Sequence, residues 1–479
     1  MKATQYIIVS TITAISTLLG SCDLLQSEGT VNPNVDENSF LNSPNAMQSW
    51  VNGTEKNFAL AIGSYCQLME ILSDNYHNNY SRSSNVFDIP QLLNTDNDVE
   101  DLQRYVGLLR ESADYAFNTV AKHDPKFTLQ QQFKMHYIKA YAYLLAGEHF
   151  TGLPAEKGGE VKTWRENMEL ALNSLDNAMK CAESDDDKAF IHTLMARAHY
   201  RLGDKAQAVQ HATASLAVSG SMVKQVQFDG DNNVNNIAQE AIWGNWFQPL
   251  PRLDFLDPKY FMTASSEQRP ITIAKSEENH LILAEAELAE GNMAGAQAQL
   301  HKLLELVKTR PVKDALDDKL DNRFNGGTKR YPNSADYVVA ASKDDPYRPH
   351  LVQEREKTTI VSVPYISGTS VDAAMIDNCK TVDEMLELVY LMRQEIFFAE
   401  GRRVADLGIR LPLCEVEAAA HPTAAKEFSQ AVIPEFIPLN RGLDDFEMDE
   451  VNKRVTISYN MNRVIVQNKL SPLVAPFFH

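Results

Sequence analysis

Apolar residues recur at helical spacing in the stretch that runs from Leu281 to Arg310. The pattern is interrupted at Gly291 and Asn292, and it stops before Pro311, all residues that commonly end helices. The apolar positions are Leu281, Ala284, Leu288, Ala296, Leu300, Leu303, Leu304 and Val307. The stretch therefore predicts two amphipathic helices that are joined by a tight turn.

The same layout occurs earlier in the chain, between Ile191 and Val218. The matched positions are Ala196 with Ala284, Gly203 with Gly291, and Ala208 with Ala296. Small residues at matched positions let two helices approach closely, so the repeat predicts antiparallel hairpins of the tetratricopeptide type that stack on one another. The alternative is two unrelated amphipathic hairpins.

Two further helix pairs can be drawn with the same unit. Ala140 and Gly147 repeat the spacing in a helix whose predicted partner, Glu166 to Ala182, follows a loop rich in Gly and Pro. A last pair is predicted around Val382 to Leu411. The chain thus contains about four helix pairs.

Segments without helical periodicity separate the later pairs. Residues at about 221–275 and 312–380 are rich in Gly, Pro and Asn, which predicts loop-rich insertions. Glu240 to Gln248 has the content of a strand, and Val455 to Tyr459 with Arg463 to Gln467 predicts a strand pair. We predict a mainly α fold: a tetratricopeptide-like helical-repeat scaffold with loop-rich insertions and a few short strands.

The amino terminus indicates export and a lipid anchor. Lys2 precedes an apolar run, Tyr6 to Leu19, that suits a signal peptide and is short for a bilayer span. Small residues then lead to Cys22, as in the lipobox of bacterial lipoproteins. We predict a signal peptide at 1–21, a lipid-anchored leash and entry segment at 22–42, and one helical-repeat domain at 43–479. The alternative is an ordinary secretory signal with an incidental cysteine.

Composition excludes one class of partner. The formal net charge is -19 and the pI is near 5.1, so nucleic acid is not expected, because phosphate binding depends on clustered Lys and Arg. The remaining cysteines, Cys66, Cys181, Cys379 and Cys414, form no metal-binding spacing and are expected to pack as small apolar residues.

These features together resemble the RagB/SusD family of outer-membrane nutrient-binding lipoproteins. The resemblance is carried by Leu19 to Cys22, the entry segment Asn32 to Gly53, the helix and loop from Tyr137 to Pro154, and two further helix pairs. The later pair ends in a motif whose family-like residues are Arg393, Glu400, Gly401, Arg403, Asp406 and Leu407. Met392 and Ile396 depart from it, since acids are common there in the family.

The resemblance implies a protein that captures a glycan, or a peptide, and delivers it to a TonB-dependent outer-membrane transporter, a SusC-like barrel. The protein would be lipid-anchored in the outer membrane of a Gram-negative bacterium and would face the cell exterior. Neither a cofactor nor an enzymatic activity is implied. The alternative is a lipid-anchored helical-repeat scaffold that binds envelope proteins and no small ligand.

Within the family-like motif, Glu400, Arg403 and Asp406 have the spacing of one helix face, which predicts an ion-pair ladder. We interpret it as a structural lock between the last hairpin and its neighbours, rather than as a ligand clamp. Arg402 is expected to be solvated.

A glycan or peptide site requires flat apolar faces with hydrogen-bonding groups around them. Two stretches satisfy this requirement. The candidate ligand-binding residues are Tyr76, Asn78, Tyr80 and Arg82 in the first, a loop after a helix, and Trp246, Phe247 and Arg252 in the second. Trp243 and Trp246 cannot share a strand face, so we predict Trp246 as exposed and Trp243 as core. The alternative is that these aromatics are simply packed.

Enzymatic motifs are absent from the sequence. It contains no HExxH, no phosphate-binding glycine loop and no GxSxG elbow. His192 and His199 are too far apart along a helix to share a metal, and Asp185 to Asp187 are expected to cap the helix that starts near Lys188. We therefore assign no catalytic residue and no metal ligand, although scattered carboxylates of a glycosidase would leave no linear signal.

Overall fold

The computed structural model describes residues 36–79, 85–244, 246–261, 266–317, 329–438 and 442–479. The predicted signal peptide and the lipidation site Cys22 lie outside these residues. Among the described helices, none is long and apolar enough to cross a membrane.

Helices dominate the described chain. The α-helices are α1 (Glu37–Leu41), α2 (Ala46–Leu72), α3 (Asn85–Asp88), α4 (Asn97–Tyr115), α5 (Ala121–His123), α6 (Leu129–His149), α7 (Trp164–Cys181), α8 (Asp185–Leu202), α9 (Lys205–Val218), α10 (Ile237–Trp243), α11 (Glu277–Ala289), α12 (Met293–Lys308), α13 (Ala373–Asn378), α14 (Val382–Ile396), α15 (Arg403–Asp406), α16 (Glu415–Ala420), α17 (Pro422–Phe428) and α18 (Met461–Gln467). A π-helical segment, Ala116–Val120, joins α4 to α5, and 3₁₀ segments cover Gly230–Asn232 and Pro251–Tyr260.

The strands are short. They are β1 (Tyr76–Asn78), β2 (Gly152–Pro154), β3 (Val161–Thr163), β4 (Val223–Val226), β5 (Phe247–Pro249), β6 (Ile271–Lys275), β7 (Val312–Asp317), β8 (Val338–Ala340), β9 (Ile360–Pro364), β10 (Phe446–Asp449) and β11 (Arg454–Ile457). Antiparallel pairs are β1 with β5, β2 with β3, β4 with β6, and β7 with β9. A three-stranded sheet has the order β10, β11, β8, in which β11 and β8 are parallel.

Three predicted hairpins are confirmed: α6 with α7, α8 with α9, and α11 with α12. Gly203 and Gly291 lie in the tight turns of the last two, with φ of 78° and 74°. Glycine adopts this left-handed conformation without the steric cost that a Cβ brings, so it can end one helix and start the next within a few residues. Asp204 and Asn292 then cap α9 and α12 by accepting hydrogen bonds from backbone N–H groups.

The hairpins stack in chain order. α7 packs on α8, α9 packs on α11, and α11 packs on α14. At the other end, α4 packs on both α6 and α2, which lengthens the array. Nearly all of the buried apolar residues belong to one continuous core. The mainly α helical-repeat prediction is therefore confirmed.

The second half of the fourth predicted pair is wrong. After α14 the chain turns irregularly through Gly401, whose φ is 69°, and helix resumes for only the four residues of α15. A Cβ on Gly401 would lie 3.0 Å from the Cα atom of Cys66, so this turn is pressed against α2. In place of the predicted partner, α18 from the carboxyl-terminal region packs on α14.

The family-like motif forms a lock made of separate buried ion pairs, and not the predicted ladder. Glu400 lies in the irregular turn and accepts hydrogen bonds from Lys259 and Lys275, at 2.8 and 2.7 Å. Arg403 pairs with Asp74 at 2.7 Å, which joins α15 to the end of α2. The structural interpretation is confirmed, because each charge joins the motif to a different part of the chain.

The same lock includes two further side chains of this region. Asp406 pairs with Arg393 at 2.8 Å and with Arg201 at 3.1 Å. Arg402, expected in solvent, is buried instead and pairs with Glu278 at 2.6 Å. Glu278 also binds Arg197 at 2.8 Å, so its single carboxylate joins α8, α11 and the turn before α15.

Three local predictions are also wrong. Glu240 to Gln248 was expected as a strand, but helix continues to Trp243 and only Phe247–Pro249 is extended. Arg463 to Gln467 belongs to helix α18, whose first N–H groups are capped by Asn460, and β11 pairs instead with β10. Asp185 to Asp187 lie inside the first turn of α8, and Ser184 is the capping residue.

Candidate functional site

The two predicted ligand-binding stretches, distant in the sequence, meet in the structure. β1 and β5 pair antiparallel, with Tyr76 opposite Pro249 and Asn78 opposite Phe247. The pairing continues beyond the strands, because the backbone N–H of Asn79 donates to the backbone oxygen of Trp246 at 2.9 Å. The sequence carried no signal that joined these stretches.

The rings at the centre of this strand pair are core residues. Tyr76 is buried in a strand and not in the exposed loop that was expected, and its ring stacks on Phe398 at 4.9 Å between centroids. Its hydroxyl donates to Asp257 at 3.2 Å, which satisfies the polar end of the buried ring. Phe247 is also buried, 6.2 Å from Tyr76. Neither ring is open to a ligand in this conformation.

The other candidates of the first stretch differ in placement. Asn78 is buried, and its backbone N–H donates to the Asp88 carboxylate at 2.8 Å. Tyr80 and Arg82 lie outside the described residues. Their role in ligand binding stays a prediction.

Both tryptophans are half-buried. Trp243, in helix α10, packs edge-on against Phe261 at 5.0 Å. Trp246 packs against the main core and lies in the short connection between α10 and β5. The strand argument that separated their faces does not apply, because Trp243 is helical. Trp246 keeps part of its ring exposed next to the β1–β5 pair.

Arg252 lines a cavity of about 290 Å³, which we call the Arg252 cavity. The lining residues are Arg252, Ala341, Asp345, Pro346, Arg348, Met375, Glu384, Glu387, Leu388, Leu391, Asn460, Asn462 and Arg463. They come from the 3₁₀ segment after β5, from the second insertion, and from α14 and α18. Leu388, Leu391 and Met375 give the cavity an apolar wall.

The acidic side chains of the Arg252 cavity are already engaged. Arg463 pairs with Asp345 and Glu387, at 2.5 and 3.1 Å. These bonds hold the pKa of Asp345 below its usual range, although burial opposes that shift. The Glu384 carboxylate accepts hydrogen bonds from the backbone N–H groups of Lys380 and Thr381, just before α14. The carboxylates are therefore satisfied without Arg252.

Arg252 itself is 7% exposed. Among the described residues its guanidinium has neither a hydrogen bond nor an ion pair, and burial lowers its pKa. Asn462, 1% exposed, donates to Gln394 through its amide nitrogen, while its amide oxygen has no partner. Two buried polar groups without partners thus lie at one cavity.

His77, Asp88 and Asp444 form a charged cluster beside β1. Their nearest ligand atoms lie within 4.8 Å of one another, and Nδ1 of His77 is 3.1 Å from Asp444 and 3.8 Å from Asp88. Burial lowers the pKa of His77, but the two carboxylates raise it by more, so the net shift is upward. Burial raises the pKa of Asp88 to about 6. One nitrogen and two oxygens at these separations could also ligate a divalent cation.

These features describe a helical-repeat protein of the tetratricopeptide type, locked by buried ion pairs and carrying a cavity that is lined by helices and by the second insertion. The structure is similar to the crystal structure of a SusD superfamily protein from Bacteroides fragilis, with a TM-score of 0.54 and 15% identity over 79% of this chain and 98% of that chain. It is also similar to a SusD-like carbohydrate binding protein from Bacteroides vulgatus, with a TM-score of 0.47 and 11% identity over 75% of this chain and 82% of that chain.

The likeness to the Bacteroides fragilis protein shows that the chain has the SusD fold, in agreement with the resemblance drawn from its motifs. No protein-family model matches the sequence, and no curated protein matches it.

The sequence analysis named Arg252 as a candidate ligand residue, which stays a prediction, and did not name the residues that line the cavity with it. Arg348, Asn462 and Arg463 come from segments far apart in the chain, and none belongs to a recognisable motif. The only sequence signal for these lining residues was composition, because arginine and asparagine occur there in segments whose other residues are largely apolar. That signal is too common to identify a site.

Proposed function

We propose that this protein is a nutrient-binding lipoprotein of the bacterial outer membrane. It captures a glycan, or a peptide, and delivers it to a partner TonB-dependent transporter of the SusC type. An acylated Cys22 anchors it, facing the cell exterior. The observation that carries the proposal is the SusD fold combined with a cavity at which Arg252 is buried and has no partner among the described residues.

The Arg252 cavity supports capture of a small ligand. Its volume of about 290 Å³ is just below the range of about 300–1,000 Å³ that is typical of ligand sites, which suits one sugar ring or a short part of a chain. The wall of Leu388, Leu391 and Met375 offers apolar contact to C–H faces, and the arginines and amides offer hydrogen bonds. The half-buried Trp246 supplies an aromatic surface near Arg252 in the sequence.

The helical array supports the partner role. Stacked hairpins give a broad and rigid surface, and insertions of the kind seen here leave another region for the ligand. Coupling the two on a lipid-anchored body would keep captured nutrient close to the membrane.

Ligand capture is tested with soluble residues 23–479 and a panel of oligosaccharides and peptides, with binding followed by calorimetry. We expect at least one ligand to bind and Trp246→Ala to weaken it. Tyr105→Ala is the matched control, because Tyr105 is a half-buried aromatic on helix α4. A broad panel without binding, together with co-purified envelope proteins, would instead favour the scaffold function.

The transporter role is tested by purifying the full-length chain from outer membranes under mild detergent. A TonB-dependent barrel should co-purify in a fixed ratio. Recovery of the chain without such a barrel, under conditions that preserve other outer-membrane complexes, would remove this part of the proposal.

A further inference from the structure

Arg252 differs from the other buried arginines of the described chain. Each of the others is paired with a carboxylate: Arg110, Arg197, Arg201, Arg310, Arg355, Arg393, Arg402 and Arg403. A buried charge without a partner is costly, which is why such groups are nearly always paired. The absence of a partner for Arg252 therefore requires an explanation.

The nearest acidic groups do not supply one. Burial lowers the pKa of Arg252 and the negative charges of Glu395 and Asp74 raise it, but neither carboxylate lies within ion-pair distance of the Arg252 guanidinium. Asp74 binds Arg403 at 2.7 Å, and the Glu395 carboxylate accepts hydrogen bonds from Thr369 and Ser370, at 2.7 and 2.6 Å. Their oxygens are already used in holding the fold together.

A second arginine lines the cavity beside Arg252. Arg348 lines the cavity and is half-buried, and its guanidinium donates one hydrogen bond to the backbone oxygen of Ser370 at 2.7 Å. The three carboxylates of the lining already accept hydrogen bonds, Asp345 and Glu387 from Arg463 and Glu384 from backbone N–H groups. Among the described residues, Arg252 and Arg348 are the two arginines of the lining that have no carboxylate partner.

We propose that the Arg252 cavity binds the carboxylate of an acidic ligand. The planar guanidinium of Arg252 receives that carboxylate through two parallel hydrogen bonds. The apolar side chains of the lining pack on the rest of the ligand.

The ligand carries one carboxylate rather than a doubly charged group, because Arg252 is the one buried arginine of the described residues without a carboxylate partner. An acidic sugar such as a uronic acid and the carboxyl terminus of a short peptide both have this chemistry. The inference rests on the proposed function, of which it names the ligand class.

The experiment compares matched pairs of probes with soluble residues 23–479. Glucuronic acid is paired with glucose, and a dipeptide is paired with its carboxyl-terminal amide. Binding is measured by calorimetry and by ligand-observed NMR at two salt concentrations. We expect one acidic probe to bind and its neutral partner to bind at least about 30-fold more weakly, as is typical when one member of a desolvated charge pair is removed. The probe that binds identifies the source of the carboxylate.

Two variants test whether Arg252 is the residue that causes the preference for the acidic probe. Arg252→Met keeps the aliphatic stem and should abolish the preference for the acidic probe, while the ligand-free protein remains at least as resistant to heat, because an unpaired charge has been removed from the interior. Arg104→Met is the control, since it removes the same charge from an exposed site on α4. It should leave the preference unchanged.

The results of these experiments distinguish failure of the acidic-ligand inference from failure of the proposed function. Equal binding of acidic and neutral probes, or an Arg252→Met variant that keeps the preference, would overturn the acidic-ligand inference and leave nutrient binding in place. If neither these probes nor the broader panel binds, both the inference and the proposed function fail. A large loss of heat stability in Arg252→Met would indicate a structural arginine and would also count against the inference.

Discussion

Close packing between the helices of the first hairpin depends on Gly147. A Cβ built on this glycine would lie 2.7 Å from the Met168 side chain and 2.9 Å from the backbone oxygen of Trp164. Real Cβ atoms essentially never approach other atoms so closely. We therefore predict that Gly147→Ala forces α6 and α7 apart.

The magnitude follows from two opposing effects. Alanine is favoured over glycine inside a helix by about 0.5–1 kcal/mol, which alone would stabilise the variant. Overpacking a buried contact costs about 1–3 kcal/mol. Met168 can change its rotamer, but the Trp164 oxygen is backbone and moves only with α7. We expect a net loss of about 1–2 kcal/mol.

The assay is urea unfolding of soluble residues 23–479, followed by helical circular dichroism. Gly53→Ala is the matched control, because Gly53 is an exposed glycine inside α2 and a Cβ there would meet nothing within 4 Å. It should gain up to about 1 kcal/mol. If Gly147→Ala gained stability to the same extent as Gly53→Ala, the close approach of α6 and α7 would be refuted.

Three further predictions test the lock, the pH response and the anchor. Glu400→Gln leaves the buried Lys259 and Lys275 without their carboxylate partner. This variant should therefore lose about 3–5 kcal/mol of unfolding free energy. Glu290→Gln, at an exposed ion pair, should cost less than about 1 kcal/mol, and similar losses for both would contradict the lock. Burial raises the pKa of Glu285 from 4.5 to about 7, so the folded chain holds a proton that the unfolded chain releases. Stability should therefore fall as pH rises from about 4.5 to 7, and Glu285→Gln should remove roughly 3 kcal/mol of that fall; an unchanged pH slope would count against the raised pKa. Cys22→Ala should abolish acyl labelling and release the protein from membranes, and persistent labelling would exclude Cys22 as the anchor.

Local pattern determined the helices of the repeat. Apolar spacing, glycine at Gly203 and Gly291, and the capping residues Asp204 and Asn292 all act within a few positions along the chain, so the sequence alone located the hairpins. Their stacking also followed from the sequence, because an amphipathic hairpin buries its apolar face only against another element.

Predictions from local pattern were wrong where packing competed with propensity. β-Branched residues predicted a strand at Arg463 to Gln467, but a cap at Asn460 and contact with α14 favour helix there. Arg402 was expected in solvent, and its pairing with Glu278 depends on a turn that no linear pattern specifies.

The sequence by itself determined that this is a mainly α helical-repeat protein and identified Arg252 as a candidate ligand residue. Only the tertiary structure decided that Tyr76 and Phe247 are core residues and that Arg252 is buried with no ion-pair partner in the described part of the chain. The physical reason is range: helical periodicity is a property of neighbours, whereas burial and charge pairing are set by residues that meet from distant parts of the chain.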